Sequence, residues 1–113
     1  MPAISNLGRS VGLHTAVATL PAEIDISNAD QIRADLLWLL GRGASPLVVD
    51  MSATTFCGCA GVTAIVVARK RACELHAELR VVISEPAVRR VFMLTCAELA
   101  GIIYASLDDA MPS

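Results

Sequence analysis

The residues best suited to chemistry lie close together, in the run FCGCAG at positions 56–61. Cys57 and Cys59 are two residues apart, and two thiolates at this spacing could share a soft metal ion or exchange a disulfide. A closed tetrahedral metal site needs further ligands, and the sequence holds no CxxC pair or HExxH motif to supply them. We therefore predict no metal. A thiol-redox enzyme is the enzymatic alternative, and the lack of a nearby basic or resolving residue disfavours it.

Other catalytic groups are sparse. His14 falls in the first predicted strand and His76 late in a predicted helix, so they are far apart in sequence. No phosphate-binding loop and no GxGxxG motif is present. These observations predict a binding protein that has no cofactor and is not an enzyme.

The composition is that of one small domain with a well-buried core. The chain has 113 residues, is 55% hydrophobic and 18% charged, and has a mean hydropathy of +0.60. One core of this size is typical of ~100–150 residues, and no run approaches the ~20 apolar residues that span a bilayer. We expect residues 1–113 to form one domain with a frayed segment at 1–10, and no membrane insertion.

The charge pattern argues against nucleic acid as a partner. The net charge is −2, and the nearest approach to a basic run is ARKRA at 68–72, which would be one face of a helix. Nucleic-acid binding needs a larger positive footprint, and the 4% aromatic content offers no stacking platform for single strands.

The N-terminal region is used to predict the cellular compartment of the protein. Residues 11–20 alternate between apolar and smaller or polar side chains, which is typical of a strand and not of a signal peptide. We therefore expect a cytoplasmic protein whose thiols are reduced. Its four cysteines are Cys57, Cys59, Cys73 and Cys96.

Strand and helix patterns alternate along the chain. Strands are predicted over 11–20 and in SPLVVDM, LRVVIS and GIIYAS, and PAEID at 21–25 is predicted to be a turn. Ser27 or Asn28 would cap a first helix that stops at Gly41 and Gly43. A second helix is predicted over about 60–77, a third from Pro86, and a terminal one from LDDAM.

The helical spacing also assigns core positions. Trp38 is expected to cover part of the core. The inner faces are predicted to hold Ile32, Leu36, Leu37, Leu39 and Leu40; Val62, Ile65, Val66, Ala72 and Cys73; and Val88, Val91, Phe92 and Leu94. Strands separated by helices of this length predict an α/β domain, with a mostly parallel sheet of four to five strands covered by helices.

Taken together, four segments resemble the STAS domain of bacterial anti-sigma factor antagonists. They are AEIDISNADQIRADL, PLVVDMSATTFCGCAGVTAIVVARKRA, LRVVISEPAVRRVFMLTCAEL and YASLDDAM, and the resemblance covers about residues 11–112. It implies a small α/β domain that binds a histidine-kinase-like ATPase serving as anti-sigma factor. Binding releases a sigma factor for transcription, and the partner kinase reverses this by phosphorylating a serine.

The resemblance places that serine at the tip of the loop before the second helix. Phe56 and Gly61 match the family pattern, whereas Gly58 replaces an Asp, Cys59 the phosphoacceptor Ser and Ala60 a second hydroxyl residue. The sequence also departs from the pattern at Cys96, where the family tends to have a Gly, and in the early turn, which lacks the usual Gly. Phosphorylation at the usual position is therefore chemically unavailable. Ser52, Thr54 and Thr55 are alternative hydroxyls, which we expect to satisfy loop backbone groups instead.

Cys59 suggests two hypotheses. At the N-terminus of the second helix the unpaired N–H groups would favour a thiolate, so the loop could sense redox state through a disulfide from Cys59 to Cys96, with Cys57 or Cys73 as substitutes. Alternatively, Cys59 permanently mimics the unphosphorylated serine and the protein is a constitutive antagonist.

The predicted partner site is the loop from Thr54 to Gly61, the first turns of the second helix, and the acidic turn. It comprises Asp25, Asp50, Thr54, Thr55, Cys57, Gly58, Cys59, Ala60 and Gly61. A STAS subunit of a lipid-transport ATPase complex is the alternative within the binding class, and the oligomeric state stays open.

Overall fold

The computed structural model describes residues 9–10 and 14–112. Its strands are β1 (Arg9–Ser10), β2 (Ala16–Thr19), β3 (Glu23–Ile24), β4 (Leu47–Met51), β5 (Phe56–Cys57), β6 (Leu79–Ile83) and β7 (Ile103–Tyr104). Its helices are α1 (Ala29–Gly41), α2 (Cys59–Glu74), α3 (Pro86–Thr95) and α4 (Leu107–Ala110), with a 3₁₀ segment over Ala97–Ile102.

The main sheet has five strands in the order β1-β2-β4-β6-β7. β1 pairs with β2 antiparallel, and every other pairing in this sheet is parallel, as for Ala16 beside Leu47 and Leu47 beside Leu79. This confirms the predicted α/β class and the mostly parallel sheet. Arg9–Ser10, within the segment predicted to be frayed, pair with β2, whereas residues 1–8 lie outside the described residues, so the fraying stays a prediction.

The sheet is covered unequally on its two faces. The larger core joins alternate residues of β2, β4 and β6 to α1, α2 and α3, with Ile32, Ile65 and Phe92 fully buried. On the opposite face, Val17, Val48 and Val82 pack with Ala110 of α4. All five residues of β4 are therefore buried, as its continuous apolar run predicts.

Several boundaries differ from the predictions because short elements leave little periodic signal. Within the predicted strand 11–20, β2 covers Ala16–Thr19, while 11–13 lie outside the described residues. The predicted PAEID turn contains β3, and the predicted last strand is reduced to Ile103–Tyr104 by the preceding 3₁₀ segment. The first helix ends at Gly41 as predicted, and Gly43 takes the left-handed φ of 95° that glycine tolerates at a helix end.

Three predicted core residues are exposed. Trp38 has 52% of its surface exposed and lies under the Arg42 guanidinium, 5.0 Å from the ring centroid. Cys73 is exposed on α2, and Leu94 on α3 is 81% exposed. Each lies one or two residues from a buried neighbour, and ~100° of rotation per residue carries it off the inner face.

No helix within 14–112 is long and apolar enough to cross a membrane.

Candidate functional site

A second, two-stranded sheet positions the predicted partner loop. β3 and β5 run parallel, with Glu23 beside Phe56 and Ile24 beside Cys57. The N–H of Gly58 donates to the Ile24 carbonyl at 2.9 Å, and the N–H groups of Thr55 and Phe56 both donate to the Ala22 carbonyl. We call residues 54–61 the switch segment. Backbone bonds therefore join it to the turn that leads into α1.

Thr54 anchors the start of the switch segment. Its side chain is fully buried, and its hydroxyl donates to the Pro21 carbonyl at 2.8 Å. Thr55 is exposed, and its hydroxyl reaches the Ala22 carbonyl at 3.3 Å. Both hydroxyls therefore satisfy backbone carbonyls, and Thr54 is closed to a modifying enzyme in this conformation.

Cys57 and Gly61 form the inward side of the segment. A Cβ placed on Gly61 would lie 2.6 Å from the Cys57 sulfur and 2.7 Å from Cγ2 of Ile24. The close approach of α2 to β3 and β5 therefore requires a glycine at this position. Burial of Cys57, with a smaller contribution from the nearby Cys59, raises the pKa of the Cys57 thiol to about 11. Cys57 is a core thiol and is protonated at neutral pH.

Cys59 is the first residue of α2 and is exposed to solvent. Gly58 precedes it in extended backbone, with φ −80° and ψ 177°, and gives the helix no side-chain cap. The first turn also contains no acidic residue. A charged group on residue 59 would therefore lie at a helix start that has no side-chain cap, close to its first N–H groups.

The space around Gly58 would admit a Cβ atom. A Cβ on Gly58 would find its nearest neighbours at 3.7–3.8 Å, which is ordinary contact. Its φ is also accessible to any residue. The Gly at this position is therefore not required by the backbone.

Asp25 closes the turn beside the switch segment. Its carboxylate accepts hydrogen bonds from the N–H and the hydroxyl of Ser27, and these bonds hold its pKa below the usual value. The side chain of Asn28 accepts from the Asp25 N–H and donates to the Glu23 carbonyl. Asn28 precedes the helix as predicted, but its side chain braces this turn instead of capping α1.

Asp50 is placed differently from Asp25. It is buried at the end of β4, and its carboxylate accepts from the Ser52 N–H at 3.0 Å. Alternation along β4 directs it to the sheet face that α4 covers, opposite the face where Val49 and Met51 join the main core. Asp25 therefore lies in the turn that backbone bonds join to the switch segment, whereas Asp50 lies on the opposite face of the main sheet from the larger core.

The four cysteines are free thiols, and the topology separates the predicted redox pair. α2 and α3 both begin at the carboxyl edge of the parallel sheet, so Cys59 is at that edge and Cys96 follows the ten residues of α3. At 1.5 Å per residue this is a separation of ~15 Å, against the ~7 Å between Cα atoms that a disulfide allows. Cys73, near the far end of α2, is farther still from Cys59. Helix length therefore argues against the Cys59–Cys96 disulfide, which stays a prediction.

Cys96 also lacks the environment of a reactive thiol. Its sulfur lies 3.3 Å from the Glu98 carboxylate. Partial desolvation, together with the hydrogen bond and charge of Glu98, raises its pKa. Within the described part of the chain, no three His, Cys, Asp or Glu side chains gather into a possible metal site.

Two exposed apolar residues lie in β5 and in the turn after β3, and the residues named for the predicted site include neither, although its loop from Thr54 to Gly61 spans Phe56. Ile26, in the turn after β3, is 88% exposed, and Phe56 in β5 is 54% exposed. Phe56 contacts the Gly58 position, and β3 lies beside β5. An exposed aromatic ring therefore lies beside the start of α2, where Cys59 is also exposed. The sequence does contain one indication of the exposure of Ile26: it is an apolar residue between the polar residues Asp25 and Ser27 of a turn.

Comparison with known proteins gives a family and a fold. The family model described as STAS domain matches residues 11–110. No curated protein matches the chain in sequence.

Solved structures share the fold at low identity. The anti-sigma factor antagonist SpoIIAA in its unphosphorylated form superposes with a TM-score of 0.77 at 22% identity, covering 91% of this chain and 90% of that one. The phosphorylated form from Bacillus gives 0.73 at 21% identity, covering 91% and 93%. An anti-sigma-factor antagonist (STAS) domain protein from Planctomyces limnophilus gives 0.72 at 20% identity, covering 86% of both chains.

A membrane protein contains a similar domain. The murine anion transporter Slc26a9 gives a TM-score of 0.66 at 18% identity, and the match covers 86% of this chain but 17% of the transporter. At these identities the likenesses show the fold.

Proposed function

This chain belongs to the STAS domain family, and we propose that it is an anti-sigma factor antagonist. It binds a histidine-kinase-like ATPase that holds a sigma factor, and binding releases the sigma factor for transcription. It acts in the cytoplasm as a binding module and performs no catalysis of its own.

The observation that carries the proposal is the shape of the switch segment. Backbone hydrogen bonds to Ala22 and Ile24 hold it against β3, and Thr54 fastens its start to Pro21. This leaves Phe56 and Cys59 exposed at the start of α2, and Ile26 exposed in the turn after β3. Exposed aromatic and aliphatic side chains around a fixed backbone are typical of a protein-binding surface.

The same segment lacks the side chains that phosphorylation at the usual position requires. Gly58, Cys59 and Ala60 provide neither the carboxylate nor the hydroxyls of the family pattern, so the partner kinase has no acceptor at the helix start. We infer that the protein is a constitutive antagonist with respect to phosphorylation at this position. Any thiol control at this position would act through Cys59, and the nearest other thiol in sequence is Cys57, which is buried and protonated at neutral pH.

Calorimetric titration tests the proposal directly. The purified protein is titrated with each histidine-kinase-like ATPase encoded in the source genome, and release of the bound sigma factor is followed by gel filtration. We expect one ATPase to bind and to release its sigma factor. The proposal is wrong if every such ATPase fails to bind, or if binding leaves the sigma factor in place.

A pair of variants locates the contact. Phe56→Glu places a charge on the proposed surface and should weaken binding by at least about tenfold, as expected for an aromatic anchor. Leu75→Glu is the matched control, because Leu75 is also a partly exposed apolar residue but follows the far end of α2. It should bind within about twofold of the parent, a difference too small to indicate a lost contact.

A further inference from the structure

A groove separates the switch segment from the first turns of α3. It holds about 80 Å³, well above the ~10–15 Å³ that a single water requires. Cys57 and Val88 are buried there, whereas Phe56 is 54% exposed and Val91 is half-buried. The lining is mostly apolar and suits the hydrocarbon part of a side chain. It consists of Thr55, Phe56, Cys57, Ala87, Val88 and Val91.

A carboxylate stands where α3 begins, beside the groove. Glu85 precedes the helix, and its carboxylate accepts a hydrogen bond at 3.4 Å from the N–H of Ala87, which lines the groove. An ionised carboxylate can accept about four hydrogen bonds, so one long bond leaves most of this capacity unused. The Glu85 carboxylate also has no cationic partner among residues 9–10 and 14–112, where the ion pairs are Arg33–Asp30, Arg71–Glu74 and Arg80–Glu78.

A second carboxylate lies beside the opposite wall. Glu23 is the register neighbour of Phe56 in the parallel ladder of β3 and β5. Both residues are exposed, and each is followed by a buried residue, so their side chains lie on the same outward face. The exposed ring of Phe56 is therefore bordered by an acidic side chain.

The two arginines of α3 do not neutralise this rim. At ~100° per residue, Arg90 points about 105° away from the centre of the face that lines the groove, and Arg89 about 155° away. Both are exposed to solvent. The groove therefore joins an apolar lining to an acidic rim, a combination that suits a side chain with a hydrocarbon stem and a cationic head.

We propose that this groove takes an arginine side chain of the anti-sigma factor. The methylene groups lie between Phe56 and Val91, and the guanidinium lies against the Glu85 carboxylate. Arginine suits the site because a guanidinium pairs with carboxylates and also stacks on aromatic faces. The inference rests on the proposed function for the identity of the partner, and on the groove and its rim for the chemistry of the contact.

Substitution of Glu85 provides the first test. Glu85→Gln removes the charge but keeps an oxygen that can accept from the Ala87 N–H. Glu98→Gln is the matched control, because it changes the net charge equally at an exposed residue beyond the other end of α3. With the ATPase that binds the parent, Glu85→Gln should weaken binding at least about fivefold and reduce its salt dependence. Glu98→Gln should stay within about twofold of the parent. Equal effects of the two variants would overturn the inference while leaving the proposed function intact.

A peptide titration tests the groove independently of the ATPase. The isotope-labelled protein is titrated with a short leucine–alanine peptide that contains one arginine, and with the same peptide containing citrulline, its uncharged isostere. We expect the arginine peptide to bind at least about fivefold more tightly and to shift the amide signals of residues 55–57 and 85–91, with Glu85→Gln removing the preference. Equal binding of the two peptides, or shifts elsewhere on the molecule, would overturn the inference. The expected preference without any ATPase that binds would support the groove chemistry and overturn the proposed function alone.

Discussion

β4 and the switch segment are both central to this domain, but they are held in place by different physical means. All five residues of β4 are buried, and hydrophobic side chains on both faces of the sheet stabilise it. The switch segment is held by backbone hydrogen bonds and by inward contacts at Thr54, Cys57 and Gly61. Its outward residues contribute little to its shape. The side chains at the outward positions, Gly58 and Cys59 among them, can therefore change with little effect on the shape of the segment.

The largest expected effect is on the reactivity of the inward thiol. A pKa of about 11 for Cys57, against the ordinary value of 9.0, leaves about 100-fold less thiolate at pH 8. Alkylation of Cys57 in the folded protein should therefore be at least about 100-fold slower than in urea. The exposed Cys59 should be alkylated early. Mass spectrometry of timed alkylation measures both sites, and rapid alkylation of Cys57 in the folded protein would contradict the inward placement.

Alkaline pH should weaken the fold through the same residue. The thiol of the unfolded chain ionises near 9, below the folded value of about 11, so the unfolded state loses its proton first. The stability from this group is fully present below pH 9 and is lost as the pH rises towards 11. Urea unfolding across this range should show a smaller loss of stability for Cys57→Ala than for the parent. If the free energy of unfolding fell equally with pH for the two proteins, Cys57 would not titrate as a buried group.

The two glycines of the switch segment should respond differently to alanine. Gly61→Ala forces a Cβ against the Cys57 sulfur and Ile24, which should destabilise the protein by about 1–3 kcal/mol. Gly58→Ala meets no close neighbour and should change stability by less than ~0.5 kcal/mol. Urea unfolding of both variants makes the comparison, and equal losses would mean that the inward side of the segment does not set its shape.

Substitution of the adjacent residues Thr54 and Thr55 should give a smaller difference in stability. Thr54→Val removes the hydroxyl that donates to the Pro21 carbonyl in a buried site, which should cost about 1–2 kcal/mol. Thr55→Val, at an exposed position with a longer hydrogen bond, should cost less than ~0.5 kcal/mol. Thermal unfolding ranks the two variants, and a larger loss for Thr55→Val would reverse the assignment of inward and outward sides.

The smallest expected effect is at the acidic turn. The Ser27 hydroxyl and N–H hold the pKa of Asp25 below the ordinary value of 3.8, so Ser27→Ala should raise it towards that value. The stabilising contribution of these bonds is present above pH 3.8 and is lost as the pH falls through the folded pKa. An NMR titration of the Asp25 carboxyl in both proteins checks the direction, and an unchanged pKa would mean that the hydroxyl does not hold the carboxylate.

Much of the fold could be predicted because long elements have clear periodicity. The continuous apolar run of β4 and the spacing in α1 and α2 indicated a parallel sheet with helices, and the structure confirms it. β3 and β5 have two residues each, too few to show an alternation, so the ladder that positions the site could not be read from the sequence. Leu94 was misplaced because its apolar character was given more weight than its position, two residues and ~200° of helix rotation from the buried Phe92.

The candidate site was predictable in its location and less so in its composition. Cys59 and Gly61 were identified from the FCGCAG run, and Cys59 does begin α2. The roles of Thr54 and Gly61 depend on contacts with Pro21 and Ile24, more than 30 residues away in sequence, which no local pattern encodes. The distance between Cys59 and Cys96 likewise follows from the direction of α3 in the fold.

The central claim is that the switch segment keeps its docking shape while lacking the phosphoacceptor. The most direct test compares the parent with the triple variant Gly58→Asp, Cys59→Ser and Ala60→Ser, each incubated with the partner ATPase and radiolabelled ATP. We predict that both proteins bind the ATPase, that the variant alone incorporates phosphate on residue 59, and that it then dissociates. Phosphate incorporation by the parent, or a variant that binds and is not phosphorylated, would contradict the claim.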